Sequence, residues 1–205
     1  MSRRKVEAER TREAILDAAE TQFLAQGVSQ TTLAHIAKAA GVTRGAIYWH
    51  FEDKSAVFDA LLQRVRIPLD EIVDDSVLRL GHTPGECLRD IANNSLEAIC
   101  HNLPLQRAVT IVLHRCEKLD DDHPRICMIT QLSEHAEEQV EKLFEQARQA
   151  GHLRADLTPA SARRQFHSFM IGICFDWLKD PQQYSLEEEQ KSIGETLIRG
   201  LLVEK

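Results

Sequence analysis

The chain reads as an all-α protein of about nine helices. Apolar residues recur at three- and four-residue spacing, no stretch alternates with strand period, and β-branched residues do not cluster between turn signals. Start and stop signals then divide the chain into its helices.

The first helix covers roughly residues 8–26, with Ile15, Ala19 and Phe23 forming its inner face, and Gly27 stops it. Thr31 and Thr32 open a second helix carrying Leu33, Ile36, Ala37 and Ala40, which Gly41 closes. A third begins at Thr43 and ends near Phe51, and a fourth starts around Asp53–Lys54 and runs towards Leu80. "TPGE" at Thr83–Glu86 is a capping box with proline at the first helical position and opens the fifth. Pro104 restarts the chain before "LQRAVTIVLHRCE", the sixth. Asp120–Asp122 followed by Pro124 suits the start of a long seventh helix that ends at Gly151. "TPAS" from Thr158 opens the eighth, and Ser185 with Glu188 caps the last. No repeat or low-complexity segment interrupts this order. The boundary between a small first domain and a larger second one falls along the fourth helix, near residues 50–65, giving domains of 1–55 and 56–205.

Composition narrows the function classes. A hydrophobic content of 43% over 205 residues supplies a sizeable core. No apolar run approaches the roughly 18 residues of a membrane span, and "MSRRKVEAER" lacks the apolar core of a signal peptide. The expectation is a soluble cytoplasmic protein without a membrane partner. The five cysteines, Cys87, Cys100, Cys116, Cys127 and Cys174, form no C-x-x-C pair and read as small hydrophobes, with redox sensing as the rival reading. Net charge is −7, yet residues 1–66 carry ten Lys and Arg against eight Asp and Glu, while the remainder is strongly acidic. A mildly basic head on an acidic body is compatible with one end docking on phosphate. No nucleophile elbow, phosphate loop or H-E-x-x-H is present, so the chain reads as a non-enzyme without cofactor. "DDDH" at Asp120–His123 is better explained by helix capping than by a metal, and no metal site is expected.

The stretch "GVTRGAIYWHFEDK" from Gly41 carries the chemistry. A short helix, a glycine turn and a second short helix form the pattern of a helix-turn-helix, whose second helix enters the DNA major groove. Leu33, Ile36, Ala37, Val42 and Ile47 turn inward, pushing a polar face outward. Arg44 suits a bidentate pair with guanine or a phosphate clamp. Gly45 permits close approach of the backbone. Tyr48, Trp49 and His50 offer flat bodies with donors for sugar and phosphate, although Tyr48 and Trp49 also suit packing against the first helix. Lys54, at the start of the fourth helix, suits a phosphate, as do Thr32 and Thr43 at the other two helix starts.

"TTLAHIAKAAGVTRGAIYWHFEDKSAVF" resembles the N-terminal domain of the TetR family of bacterial transcriptional regulators, on its AcrR-like multidrug-efflux branch. The similarity is dense over about residues 10–62 and looser beyond, where "IVLHRCE" at Ile111–Glu117 also looks like that branch. It implies DNA-contacting positions at Thr32, Thr43, Arg44, Gly45, Tyr48, Trp49, His50 and Lys54.

The second domain is read from "ARRQFHSFMIGICFDWL". Phe166, Phe169, Met170, Ile173, Cys174, Trp177 and Leu178 make a wide apolar stripe, with Ile171 and Phe175 outside it, so this helix needs cover on two sides. Ile193, Leu197, Ile198, Leu201 and Leu202 stripe the last helix, with nothing downstream to cover them. Both helices from two copies would form a four-helix dimer interface through Phe169, Ile173, Trp177, Ile193, Leu197 and Leu201; burial within one copy is the other reading. Helices four to eight are expected to enclose a pocket. Arg107, Thr110 and His114 form a polar stripe on the sixth helix, read either as a solvated face or as cavity lining. Ile91, Ser95, Leu96, Cys116, Phe166, His167, Met170 and Phe175 are candidate walls, although core packing suits each singly.

The reading that joins these parts is a dimeric repressor on a pseudo-palindromic operator, controlling a multidrug efflux pump and released by a hydrophobic inducer. Alternatives are the same fold answering to a fatty acyl metabolite or to thiol oxidation, a sequence-tolerant architectural protein, and a helical enzyme or carrier.

Overall fold

The structure, a computed structural model, describes residues 3–116 and 134–203. The expected helix start at Asp120–Pro124, and Cys127, lie outside the described residues. Those described form nine α-helices: α1 (Arg3–Gln26), α2 (Leu33–Ala39), α3 (Arg44–His50), α4 (Lys54–Val77), α5 (Pro84–His101), α6 (Leu103–Thr110), α7 (Glu134–Gln149), α8 (Pro159–Lys179) and α9 (Leu186–Leu201). A single π-helical turn, Ile111–Arg115, extends α6. None of these helices is long and apolar enough to cross a membrane.

Most ends follow the side chains that cap them. Thr32, Thr43, Thr83, Thr158 and Ser185 each accept a backbone N–H from three residues on, at about 1 kcal/mol apiece. At Thr83 the Glu86 carboxylate answers the cap backbone, completing the box. Three boundaries differ from the sequence reading. Helix α1 starts at Arg3, since nothing before Gly27 breaks "RRKVEAER". Helix α4 ends at Val77 and contains Pro68, which cannot donate to the Arg64 carbonyl one turn back. The sixth helix is not α-helical throughout. Buried Ile111, Val112 and Leu113 are consecutive, and the slower rotation of a π turn keeps three successive residues on one side.

The described residues fall into two compact units, those within Met1–Val65 and Arg107–Leu132 and those within Arg66–Gln106 and Ser133–Lys205. The boundary expected at 55/56 therefore lies inside the first unit. Its core joins Ile15, Leu16, Ala19 and Phe23 of α1 to Ile36, Ala37, Ile47, Val57, Phe58, Leu61 and Leu62. The Phe23 and Phe58 rings lie 6.0 Å apart, and each such buried ring contributes about 2 kcal/mol. Segment 107–116 adds Ile111, Val112 and Leu113, and the Arg115 carbonyl accepts the Val28 N–H at 2.9 Å. Gly41, at φ +67°, makes the α2–α3 turn that a side chain would strain.

In the second unit, Val73, Leu88, Ile91, Val140, Leu143, Phe144, Phe166, Leu197, Ile198 and Leu201 form one core. Helices α5 and α9 approach so closely that a Cβ at Gly194 would meet Asn93 Oδ1 at 2.2 Å. After α9 the chain pairs back on the α7–α8 loop, Leu153 opposite Leu202.

A surface pair ties α7 to α4: His135 Nε2 lies 2.8 Å from Asp74 Oδ1. That hydrogen bond, helped by the charge of Asp74, raises the His135 pKa above 6.5. A raised folded value means that the stabilisation is complete below the unfolded pKa and is lost as pH rises through the folded one. Urea midpoints measured across that window should fall in the native chain and lose this step in His135→Gln.

Candidate nucleic-acid interface

Helix α3 buries Ile47 and leaves most of the rest outside. Arg44, Gly45, Tyr48 and Trp49 are exposed, the last two at 56% and 72%. Their spacing places Arg44 with Tyr48, and Gly45 with Trp49, one turn apart on one face. Two large aromatics in solvent on a seven-residue helix have no role in this core. A Cβ added at Gly45 would meet only Thr43 Oγ1, at 4.0 Å, so the chain itself does not require glycine there.

Local chemistry fixes the surroundings of that face. Thr32 and Thr43 are exposed and use their hydroxyl oxygens as caps, accepting from His35 and Ala46 N–H at 3.2 and 3.1 Å, which leaves each O–H to donate. His50 is half-buried, its ring meeting Trp49 edge-on at 4.6 Å. Burial, and then the charge of Arg12, lower its pKa, so His50 offers a neutral ring to a ligand at neutral pH. Arg12 lies 5.4 Å from the Phe51 ring centroid, bringing α1 to the end of α3. Arg12 is not legible from residue order, because nothing in its spacing links it to Phe51.

Lys54 departs from its expected role. Its ammonium donates to the Val28 and Ser29 carbonyls at 2.8 and 3.3 Å, and Asp53 caps α4 through the Ala56 N–H at 2.7 Å. Lys54 thus braces the α1–α2 loop, with one donor remaining for an anion.

The ligand candidates are divided between the two units. Ile91, Leu96 and Phe166 are buried in the second unit, Ser95 and Met170 are half-buried there, and Phe166 meets Phe144 edge-on at 6.1 Å. Thr110, His114 and Cys116 belong to the first unit, and Cys116, just past the π turn, is buried. The change of helical register at Ile111 breaks the expected polar stripe. Arg107 is corrected: its guanidinium is spent on Glu20 of α1, at 3.2 Å, and not on a cavity. Phe175 is also corrected; at 42% exposed it lies on the outer face of α8. His167 is half-buried. Its Nδ1 lies 3.7 Å from Glu137, which Arg163 holds, and its Nε2 is buried without a hydrogen-bond partner among the described residues. Burial lowers its pKa against the charge of Glu137 and with that of Arg163, which favours the neutral ring.

Three of the six expected dimer residues are corrected. Leu197 and Leu201 sit in the core of their own chain, where α9 packs on α5, and Trp177 is buried with its indole N–H donating to the Tyr184 carbonyl at 3.3 Å. Phe169, Ile173 and Ile193 are half-buried. An apolar stripe identifies the covered face of a helix but not which chain covers it. The faces left open carry Ser168, Gly172 and Phe175 on α8 and Ser192, Thr196 and Gly200 on α9. A Cβ at Gly172 or Gly200 would touch nothing within 4 Å, so neither glycine is required by its own chain.

A capped helix pair, braced on α1 and presenting a basic aromatic face, defines a helix-turn-helix protein of the nucleic-acid-binding class. Residues 15–61 match the family described as bacterial regulatory proteins, tetR family, and residues 83–202 match the C-terminal region of MAATS-type transcriptional repressors. The chain belongs to the TetR family. It is 34% identical to the transcriptional repressor BepR of Brucella suis, covering 98% of this chain and 96% of that one. The regulator AcrR of Shigella flexneri is 32% identical, with 97% and 93% covered. Among solved structures, NalD of Pseudomonas aeruginosa, the secondary repressor of the MexAB-OprM multidrug efflux pump, superposes with a TM-score of 0.82 at 34% identity, covering 97% of this chain and 99% of that one.

Proposed function

We propose that the chain is a ligand-responsive transcriptional repressor that binds a pseudo-palindromic operator as a homodimer and controls a multidrug efflux operon. Residues 1–55 form the DNA-binding part; residues 56–205 form the part for ligand and dimerisation. The observation that carries this reading is the exposed face of α3, where Arg44, Tyr48 and Trp49 stand mostly in solvent. Arg44 reads or clamps, while the aromatic pair and His50 position the helix on sugar and phosphate. One seven-residue helix gives little affinity, and two on one axis supply both affinity and spacing. The open, small-residue faces of α8 and α9 let a second copy approach closely.

The inducer is a hydrophobic molecule bound in the helical body, where the buried Nε2 of His167 gives it a group to hydrogen-bond. Its preference for a geometry unsuited to the operator lowers DNA affinity by linkage, and 1–3 kcal/mol of coupling gives about 5- to 150-fold. A same-fold regulator answering to a fatty acyl metabolite shares this outline. Thiol oxidation at Cys174, Cys87 or Cys100 is disfavoured, because burial pushes the Cys174 thiol up to about 12 and raises the other two as well.

Selection from a random duplex pool, followed by gel shift with and without triclosan and other apolar antimicrobials, tests the reading. Enrichment of an inverted repeat, preferred about 10³-fold or more over unrelated duplex, is expected. Equal affinity for every duplex would show an architectural protein instead.

A further inference from the structure

One buried carboxylate in the first unit is not explained by folding alone. Glu20 of α1 is only 7% exposed, among apolar neighbours. Its two oxygens face different helices: Oε1 accepts from Arg107 of α6 at 3.2 Å, and Oε2 lies 4.0 Å from Arg64 of α4. Arg64 is further held by Asp17 at 2.8 Å and by Glu13. Glu20 is the buried member of this cluster, and a buried carboxylate held by partly exposed partners often stabilises no better than an apolar residue of similar size, so its presence asks for another reason.

The position of the two arginines along the chain supplies one. The first unit ends at residue 65 on α4 and resumes at residue 107 on α6. Arg64 and Arg107 are therefore the side chains at the two described places where the chain passes from one unit to the other. Both reach Glu20. Beyond Arg64, the helical ladder of α4 lacks the bond that Pro68 cannot give, so the helix is weakest just past its anchor. Beyond Arg107 lies the π turn, whose Arg115 carbonyl holds the Val28 N–H.

We propose that Glu20 is the positioning residue through which α4 and α6 act on the recognition pair together. A displacement of either helix pulls on one oxygen of a single carboxylate. The other oxygen and α1 then carry it to the second helix and to the core behind α2 and α3. This deepens the regulator reading and rests on it for the direction of signalling, while the junction itself does not require DNA.

Hydrogen exchange on the full chain tests it in two arms. Without DNA, Glu20→Gln should speed exchange about tenfold or more at amides of both residues 60–67 and residues 103–110, as expected for losing a charge-assisted bond at a buried site. Arg107→Met, at a half-exposed side chain that the core does not need, should speed exchange in α4 as well as α6, and Arg107→Lys should restore it. If each variant loosens only its own helix, the junction is overturned; should Glu20→Gln not fold, the arginine pair decides alone. In the second arm, the selected operator duplex should slow exchange in the native chain at residues 69–77 and 103–106, by the reciprocity of linkage, and not in Arg107→Met. A bound duplex that leaves those amides unchanged, or slows them equally in Arg107→Met, overturns coupling through Glu20. Absence of any preferred duplex would remove the regulator reading and leave the first arm to decide on the junction.

Discussion

Replacing Arg44 by alanine is expected to lower operator affinity by about 30-fold to 10⁴-fold while leaving the unfolding midpoint in place. The range follows from one lost contact worth about 1–3 kcal/mol, counted at both half-sites of a symmetric complex. Stability should stay within about 0.5 kcal/mol, since Arg44 is exposed at the first position of α3. Titration against single-base variants of the selected duplex, at several salt concentrations, separates its two possible roles. If Arg44 pairs with guanine, the variant loses preference at one symmetric position. If it clamps phosphate, affinity falls uniformly and the dimer's salt dependence becomes shallower by about two. Unchanged affinity in both assays would place the interface elsewhere.

Leu197→Ala should remove about 2–5 kcal/mol of stability from the chain itself. The side chain is 5% exposed in a core with Leu88, Ile91 and Ile198, and truncation leaves a cavity that α5 and α9 cannot close, fixed as they are at Gly194. Urea unfolding reads this directly. Gly172→Asp is the contrasting substitution: a side chain there meets nothing of its own chain within 4 Å, so it should spare stability and drive dissociation measured by sedimentation. The opposite pattern, with Leu197→Ala changing only the association constant, would return α9's stripe to the dimer interface.

Much of this molecule was legible from residue order. Caps at Thr32, Thr43, Thr83, Thr158 and Ser185 fixed helix starts because capping is a matter of one side chain and a backbone N–H three residues away. The same locality made the face of α3 readable: Ile47 is the apolar residue that must turn in, and Arg44, Gly45, Tyr48 and Trp49 follow on the other side. The π turn was not legible, since its register depends on Ile111, Val112 and Leu113 all finding cover in the first unit.

Longer-range assignments failed for one shared reason. Arg107 and Glu20 are 87 positions apart, and no periodicity marks them as partners. Leu197 and Leu201 made a correct stripe with the wrong neighbour, because amphipathic spacing is a property of one helix and the identity of its cover is a property of the fold. Nor does residue order show that two of the three Lys54 donors go to the Val28 and Ser29 carbonyls.

By itself the sequence determined the all-α class, the order of the helices, the outward chemistry of α3 and the family to which these belong, all of which depend on interactions within a few residues. Only the tertiary structure decided which stripes are core, which faces of α8 and α9 stay open, and that one buried carboxylate gathers α4 and α6 onto α1. Those outcomes depend on packing between segments distant in the chain, where the free energy of a contact is set by its surroundings rather than by its place in the order of residues.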